Sequence, residues 1–206
     1  MSSRARPSWR HALIAAGFAA FGPGKATALD GATREWRFDV ALDGRHIGEH
    51  RFVLREAGST RLLTSEARFR VRVLFFDVYR YEHHAQERWR ANCLERLDAR
   101  TDDNGLHTAV VEDIAASRGC VRTFAYWNPD FLAAHELLNP QTGEYVAVQV
   151  RELGREQVGG QPAQRYHLTG GGRTPVEIDL WYSPAGEWLA LESRTPEGRR
   201  LRYSRQ

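Results

Sequence analysis

Apolar and polar side chains alternate along most of the chain after residue 35, and this period of two constrains the fold more than any other feature of the sequence. The clearest stretch places five apolar residues on one face, namely Ala67, Phe69, Val71, Val73 and Phe75. Three arginines occupy the other face, Arg68, Arg70 and Arg72. Successive side chains of a β-strand point to opposite faces of its sheet, so this pattern predicts a strand with one buried face.

Turn signals separate the alternating stretches at intervals of roughly ten residues. Asp43-Gly44 and Asn104-Gly105 are typical of tight β-hairpins, and turns such as Pro184-Ala185-Gly186 divide the second half. Strands joined by short turns favour an antiparallel sheet over alternating strands and helices. The sequence therefore predicts a mainly β fold, with residues 29–206 forming a single domain that is a curved antiparallel sheet or a half-open barrel.

One stretch of the second half departs from the period of two and has the pattern of a short helix. Asn128 can cap the helix, Pro129 suits its first position, and Asn139-Pro140 ends it. We expect a helix over residues 129–138. Because a helix this short is marginal on its own, we expect it to cover the apolar face of the sheet.

Residues 1–28 have the three-part pattern of a secretory signal peptide. A basic start precedes the apolar run 12–22, and Ala26-Thr27-Ala28 matches the cleavage site that a signal peptidase accepts. We expect cleavage between Ala28 and Leu29, a mature protein without a transmembrane span, and a periplasmic or secreted location. The alternative is an uncleaved anchor helix, although the apolar run has about half of the ~20 residues that a span needs.

The charge balance argues against nucleic acid as a partner of the mature chain. The full sequence has 29 lysines and arginines against 26 aspartates and glutamates. The leader holds four of the basic residues and no acid, the four being Arg4, Arg6, Arg10 and Lys25. Removing them leaves 29 − 4 = 25 basic residues against 26 acidic ones. Nucleic-acid binding needs a clear excess of positive charge, which the mature chain lacks.

Cys93 and Cys120 both remain after cleavage, and an even number of cysteines in an oxidising compartment favours a disulfide. In a plain meander the two residues would lie two strands apart, about 9.5 Å, which exceeds the ~7 Å that a disulfide allows between Cα atoms. We therefore expect a disulfide on the condition that the chain near Cys120 leaves the meander. The alternative is a pair of buried thiols.

Seven short motifs are spread over the mature chain: Glu87-Arg88-Trp89-Arg90, Thr101-Asp102-Asp103-Asn104-Gly105, Thr123-Phe124-Ala125-Tyr126-Trp127-Asn128-Pro129, Leu137-Leu138-Asn139, Gln141-Thr142-Gly143-Glu144-Tyr145, Trp181-Tyr182 and Gly186-Glu187-Trp188. Together they resemble an uncharacterised family of small exported proteobacterial proteins, a resemblance that implies no known activity. The order of long strands, a mid-chain helix and further strands is also similar to the LolA/LolB lipoprotein carriers. That second resemblance implies a curved sheet enclosing a cavity for acyl chains, although a fold does not determine a function.

No set of residues matches a metal site, a cofactor site or a catalytic motif. His46 and His50 would lie about 13 Å apart on a strand, too far for one metal ion. His83 and His84 would point to opposite faces of the sheet. The nucleophile motif G-x-S-x-G does not occur. We expect no metal and no cofactor, and the sequence favours a protein that is not an enzyme.

The sequence favours a binding or carrier protein for a hydrophobic ligand, an acyl chain or a lipid. The predicted helix is too short to fill the concave face of a large sheet, so we expect a pocket beside it. The expected ligand-binding side chains lie on the sheet and around the helix: Phe69, Val71, Phe75, Tyr126, Trp127 and Phe131. Two alternatives stay open, an envelope protein-interaction module with a solid core and an envelope enzyme that acts on lipid.

Overall fold

The described part of the chain is built on a sheet of twelve strands, and neighbouring strands run antiparallel. The computed structural model describes residues 31–73, 76–114, 118–172 and 175–206. The predicted signal peptide, with its cleavage site between Ala28 and Leu29, lies outside these residues, and so does Phe75. None of the described residues belongs to a helix with the length and apolar character that a membrane span requires.

Two meanders of six strands each form the sheet. The first consists of β1 (Thr33–Leu42), β2 (Arg45–Ala57), β3 (Thr60–Val73), β4 (Phe76–Arg90), β5 (Cys93–Asp103) and β6 (Leu106–Asp113). The second consists of β7 (Glu136–Leu138), β8 (Tyr145–Val158), β9 (Gln161–Gly170), β10 (Val176–Tyr182), β11 (Trp188–Arg194) and β12 (Arg200–Arg205). The strand order is β6-β5-β4-β3-β2-β1-β12-β11-β10-β9-β8-β7. The pairing of β1 with β12 joins the meanders, and β6 and β7 are the edges of the described sheet, which is not closed. The predicted mainly β, antiparallel fold is confirmed.

Two of the predicted hairpin turns have the backbone conformation that their residues favour. The backbone angle φ is 49° at Asp43 and 80° at Gly44, between β1 and β2. It is 53° at Asn104 and 92° at Gly105, between β5 and β6. A tight hairpin of this kind needs a positive φ at both central residues, which Asp-Gly and Asn-Gly tolerate best. Local sequence therefore determines these two strand connections.

The inner face of the sheet carries the hydrophobic core, and β1 shows the period of two that the sequence predicts. Trp36, Phe38 and Val40 are buried, whereas the residues between them are exposed. Phe38 packs against Trp188 of β11, with 4.1 Å between the ring centroids. Aromatic pairs of this kind add to the free energy that the buried apolar area contributes, so β1 and β11 are packed together as well as linked through β12.

The predicted helix at residues 129–138 begins where expected and is wrong in its extent. Pro129–Ala133 forms a 3₁₀ helix of five residues, and the backbone N–H of Asp130 donates to the side chain of Asn128, as expected for a cap. The next residue, Ala134, is already extended, and the chain continues into β7, which pairs with β8. The edge of β8 provides hydrogen-bond partners for the backbone, and a lone short helix is only marginally stable, so the strand prevails.

The predicted disulfide between Cys93 and Cys120 is confirmed, with 4.9 Å between the Cα atoms. After β6 the chain leaves the meander, as the bond requires, and passes along the start of β5. There the backbone N–H of Leu94 donates to the carbonyl oxygen of Val121 over 2.8 Å. We call residues 118–128 the crossing segment. The disulfide ties the first part of this segment to the sheet and so limits where its later residues can lie.

Candidate functional site

A cavity of about 270 Å³ lies between the inner face of the sheet and the crossing segment. The crossing segment contributes three aromatic residues, Phe124, Tyr126 and Trp127. The sheet adds apolar side chains and a polar group, which consists of His50, Ser65, His83, Glu87 and Tyr203, and three further polar residues border the cavity on β10 and β11, namely Glu177, Ser193 and Arg194. An apolar wall with a few polar groups is typical of small-molecule sites, which usually measure roughly 300–1,000 Å³. The cavity is therefore just below the lower end of this range.

A larger hollow of about 410 Å³ is a weaker candidate for a hydrophobic ligand. It extends over β3 to β6, and its walls are mostly charged or polar side chains, among them Arg68, Glu82, Arg100 and Asp102. Only two alanines, Ala67 and Ala109, contribute apolar side chains to it. The smaller cavity has the aromatic lining that an apolar ligand needs, and for that reason we take it as the candidate site.

His50 connects three strands on the polar side of the cavity. Its Nε2 lies 2.7 Å from Ser65 Oγ, and its Nδ1 lies 3.3 Å from the hydroxyl of Tyr203. The ring also stacks on Phe52, with 4.0 Å between the centroids. Burial lowers the pKa of His50 well below its usual value, and His83 lowers it further. His50 is therefore neutral at physiological pH, and its two nitrogens act as one donor and one acceptor.

His83 is a second neutral histidine on the same face, and it is buried. Its Nδ1 lies 2.9 Å from Thr101 Oγ1 on the neighbouring strand β5. Burial lowers the pKa of His83 to about 4, with a smaller contribution from His84. His84 itself is exposed on the outer face, as the period of two predicts. The two adjacent histidines thus differ in environment because consecutive strand residues face opposite sides.

Glu87, on β4, carries one of the few ionisable side chains that are buried on the inner face of the sheet. The indole N–H of Trp89 donates to its Oε2 over 2.8 Å, and the hydroxyl of Thr123 donates to its Oε1 over 3.2 Å. Burial raises the pKa of Glu87 to about 7, although both hydrogen bonds lower it. The desolvation of the charge therefore outweighs the two donors. At neutral pH the carboxyl is partly protonated.

Replacing Glu87 by glutamine is expected to raise the free energy of unfolding at pH 8 by up to about 3 kcal/mol and to leave it nearly unchanged at pH 4.5. The pKa of this carboxyl is 4.5 when it is exposed and about 7 in the folded protein. Its contribution to the free energy of unfolding is therefore fully present below pH 4.5 and is lost as the pH rises towards 7. Glutamine keeps an acceptor oxygen for Trp89 and Thr123 but never ionises.

Urea denaturation at the two pH values measures this difference. Glu82→Gln is the matched control, because Glu82 lies on the outer face of the same strand and is partly exposed. The control should change the free energy of unfolding by less than about 0.5 kcal/mol at either pH. An equal gain for Glu87→Gln at pH 4.5 and pH 8 would contradict the burial of an ionisable carboxyl.

The aromatic wall of the cavity is held by contacts around the crossing segment. The ring of Trp127 packs edge-on against Trp89, at 5.6 Å between centroids, and the ring of Tyr126 lies 5.2 Å from that of Trp188. The hydroxyl of Tyr182 donates to the backbone carbonyl of Tyr126 over 2.8 Å. The backbone and both rings are therefore fixed by neighbouring strands, so the cavity is formed before any ligand enters.

The structure places the six residues expected to bind a ligand in different surroundings. Tyr126 and Trp127 line the cavity. Phe69 does not line it, since its ring is stacked on Tyr81 in the core at 5.2 Å. Val71 borders a separate small hollow of about 140 Å³ near the β1–β2 turn. Phe131 is fully buried beneath the 3₁₀ helix and does not border the cavity either, and Phe75 lies outside the described residues.

The sequence analysis missed the polar group of the cavity, although the period of two contains the signal for it. His50 has the parity of Phe52 and Leu54 on β2, and His83 and Glu87 have the parity of Trp89 on β4. All of these residues therefore face inwards. Histidine and glutamate are common on solvent-exposed faces, so their residue type alone suggests the outer face of the sheet. Their positions along the strands place them on the inner face.

The histidines do not meet at a common point. His46 is exposed, with its Nε2 3.4 Å from Asp39 Oδ1, whereas His50 is partly buried on the other face. Within the ranges that the structure describes, no three His, Cys, Asp or Glu side chains are grouped so that they could hold a metal ion.

Comparisons with known proteins give a family and a similar fold, and both are described as domains of unknown function. The family model described as a domain of unknown function, DUF6134, matches residues 38–206. The chain is similar to a crystal structure of a beta-barrel-like protein of the domain of unknown function DUF1849 from Brucella abortus. The TM-score is 0.58 at 8% sequence identity, over 85% of this chain and 96% of that one. At this identity the likeness concerns the fold alone. No curated protein matches the chain.

Proposed function

The chain belongs to the DUF6134 family, and we propose that it is a binding or carrier protein for a hydrophobic ligand with an acyl chain, acting in the periplasm or outside the cell. The observation that carries the proposal is the cavity of about 270 Å³ with an aromatic wall on the inner face of the sheet, which opens to the surface beside Gln141, Glu177 and Arg194. The periplasmic or secreted location of the protein is proposed from the leader at residues 1–28.

The walls of the cavity support a ligand with an apolar chain. Phe52, Leu63, Leu191 and Leu201 line the part formed by the sheet, and Trp127 lines the opposite part. Burying a chain between such side chains contributes about 0.8 kcal/mol per CH₂ group. The volume favours one short chain or the end of a longer one over a complete lipid with two chains.

The unclosed sheet is compatible with a binding fold. The resemblance to the LolA/LolB carriers lends no support, because the mid-chain helix on which it rested is a 3₁₀ helix of only five residues. A fold alone does not determine a function, so the proposal depends on the cavity and its lining. The cavity also distinguishes the proposal from an interaction module with a solid core, because such a module would have no space at this place.

Titration of the mature protein with an acyl-chain compound such as octanoate or methyl octanoate is expected to change its tryptophan fluorescence, because Trp127 lies in the cavity wall. Native mass spectrometry should detect the ligand on the protein. Ala85→Phe, on the floor of the cavity, should abolish the response by filling the space. Its matched control is Ala163→Phe, at a buried alanine in a separate cluster away from the cavity. Equal responses of the two variants, or no response of the unmodified protein to either compound, would overturn the proposal.

One observation favours the alternative of an interaction module. β6 is an edge of the described sheet, and its residues Leu106 and Val111 are exposed. An edge strand has backbone groups that can pair with a strand of another protein. An envelope protein bound at this edge would be the partner. The titration separates the two functions, since an interaction module does not need a ligand in its core.

A further inference from the structure

The end of the β3–β4 hairpin extends past the strands beside it. The pairing of β3 with β2 stops at Phe69, and the pairing of β4 with β5 stops at Tyr81. Residues 70–73 of β3 and 76–79 of β4 pair with each other beyond these points. We call these residues the projecting hairpin. Because it extends past the paired part of its neighbours, a partner can reach it.

Two large apolar side chains of the projecting hairpin face solvent. Phe76 is 73% exposed and Val78 is 51% exposed, although both belong to β4. At the base of the hairpin, in contrast, Phe69 and Tyr81 are buried and their rings stack on each other. A single exposed apolar residue is common on a soluble protein, but two of them close together on a projecting element indicate an interaction surface.

Exposed arginines lie behind the apolar end of the hairpin. Arg70 and Arg72 are on β3, and Arg45 follows the β1–β2 turn. Arg45 reaches the hairpin, because its guanidinium donates to the backbone carbonyl of Arg72 over 3.2 Å. Within the described residues, neither Arg45 nor Arg70 forms an ion pair with an acid. The charge of these two side chains is therefore available to an anion.

The arginines border the small hollow of about 140 Å³ near the β1–β2 turn. Four of them contribute to its wall, namely Arg45, Arg70, Arg72 and Arg199. Arg199 is paired with Asp43 over 2.8 Å, but no acidic residue that the structure describes lines the hollow itself. A guanidinium binds phosphate through parallel N–H donors, so several of them around a small space favour a phosphate group as the ligand.

The order of these groups along the hairpin matches the layers of a bilayer surface. Phe76 pairs with Val73, which is three residues beyond Arg70, so the apolar end lies about 10 Å further along the strand than this arginine. Proteins that lie on a membrane bury apolar side chains about 5–10 Å into the boundary between head groups and acyl chains. With Phe76 at that depth, Arg70 lies at the level of the phosphates.

We propose that the projecting hairpin docks on a bilayer that contains anionic phospholipid, with Phe76 and Val78 at the acyl boundary and Arg45 and Arg70 on the phosphates. An acidic surface of another protein would pair with the arginines but would give Phe76 no apolar surroundings. Each arginine contributes about fivefold to the affinity for an anionic membrane, and the buried ring adds about tenfold. The inference does not depend on the cavity, because none of these residues lines it.

Co-sedimentation of the mature protein with lipid vesicles tests the proposal. Vesicles of phosphatidylglycerol and phosphatidylethanolamine should bind the protein at least about tenfold more tightly than vesicles of phosphatidylcholine alone. Binding should weaken as salt is added, since salt screens exposed charges. Ala85→Phe, which fills the cavity, should bind the anionic vesicles as the unmodified protein does.

Two substitutions with matched controls separate the apolar contribution from the charged one. Phe76→Ser should weaken binding to the anionic vesicles about tenfold, whereas Leu153→Ser, at an exposed leucine of β8, should leave it unchanged. Arg70→Glu should weaken binding at least about fivefold. Its control is Arg88→Glu, at an exposed arginine towards the other end of β4. All four positions are exposed, so the variants should keep the circular dichroism spectrum of the unmodified protein.

Binding to anionic vesicles, with losses confined to Phe76→Ser and Arg70→Glu, is the result that supports the inference. Equal binding to both kinds of vesicle, or equal losses in a variant and its control, would overturn it. Absence of binding to either vesicle would also overturn it and would leave an acidic protein as the partner for these arginines. Loss of vesicle binding in Ala85→Phe would show that lipid enters the cavity, which overturns the docking surface and supports the proposed function.

Discussion

Replacing Phe131 by alanine is expected to lower the free energy of unfolding by about 3–5 kcal/mol, because removing a fully buried aromatic ring costs its apolar contacts and leaves a void. Phe131 is 0% exposed, and its ring packs edge-on against Tyr126 at 5.7 Å between centroids. Alanine at this position would leave the 3₁₀ helix with no buried anchor of its own. Urea denaturation followed by circular dichroism measures the change.

The matched control for this prediction is Leu153→Ala, at an exposed leucine of β8. It should change the free energy of unfolding by less than about 0.5 kcal/mol. A loss below about 1 kcal/mol for Phe131→Ala would show that the ring is not packed as described. The same burial means that a charged residue at position 131 would unfold the protein, so this position is unsuited to a test of ligand binding.

Removing the disulfide is expected to have the second large effect, a loss of about 3–4 kcal/mol in the free energy of unfolding. Cys93 and Cys120 are 27 positions apart, and their bond restricts the unfolded chain by closing a loop of that length. The measurement is thermal or urea denaturation of the Cys93→Ser/Cys120→Ser protein, compared with the unmodified protein under non-reducing conditions. Its melting temperature should fall while the circular dichroism spectrum of the folded state stays the same.

Reduction of the unmodified protein provides the control, since it should give the stability of the double variant without any change of sequence. The double variant itself should not respond to a reducing agent. Peptide mapping that finds both thiols free in protein taken from the envelope would contradict the prediction. Because the bond ties the crossing segment to β5, loss of the bond should also weaken any ligand response that depends on Trp127.

Most of the sheet could be predicted because its determinants are local. The alternation around Phe38 and Phe69 assigns the faces of β1 and β3, and Asp43-Gly44 determines how β1 turns into β2. The disulfide could be predicted because only two cysteines are present. The prediction required the chain near Cys120 to leave the meander, and the structure meets this condition. In each case a few neighbouring residues, or the number of cysteines, contain enough information for the prediction.

The candidate site could be predicted only in part. Tyr126 and Trp127 line the cavity, whereas Phe131, which shares their stretch of sequence, points its ring into the core. The period of two marks which residues face inwards but not whether the space in front of them is filled. Filling depends on the crossing segment, whose path is determined by contacts with strands far away in sequence, such as that between Thr123 and Glu87.

By itself, the sequence determined the strand faces, the hairpin turns and the pairing of the cysteines, since side-chain alternation and turn conformation are properties of a few adjacent residues. The tertiary structure alone decided that residues 136–138 extend into a strand, because the edge of β8 is what satisfies their backbone. It also decided that β1 pairs with β12, and that Glu87 has a raised pKa while His50 has a lowered one. Those properties arise from what packs around a residue, and distant parts of the chain supply that packing.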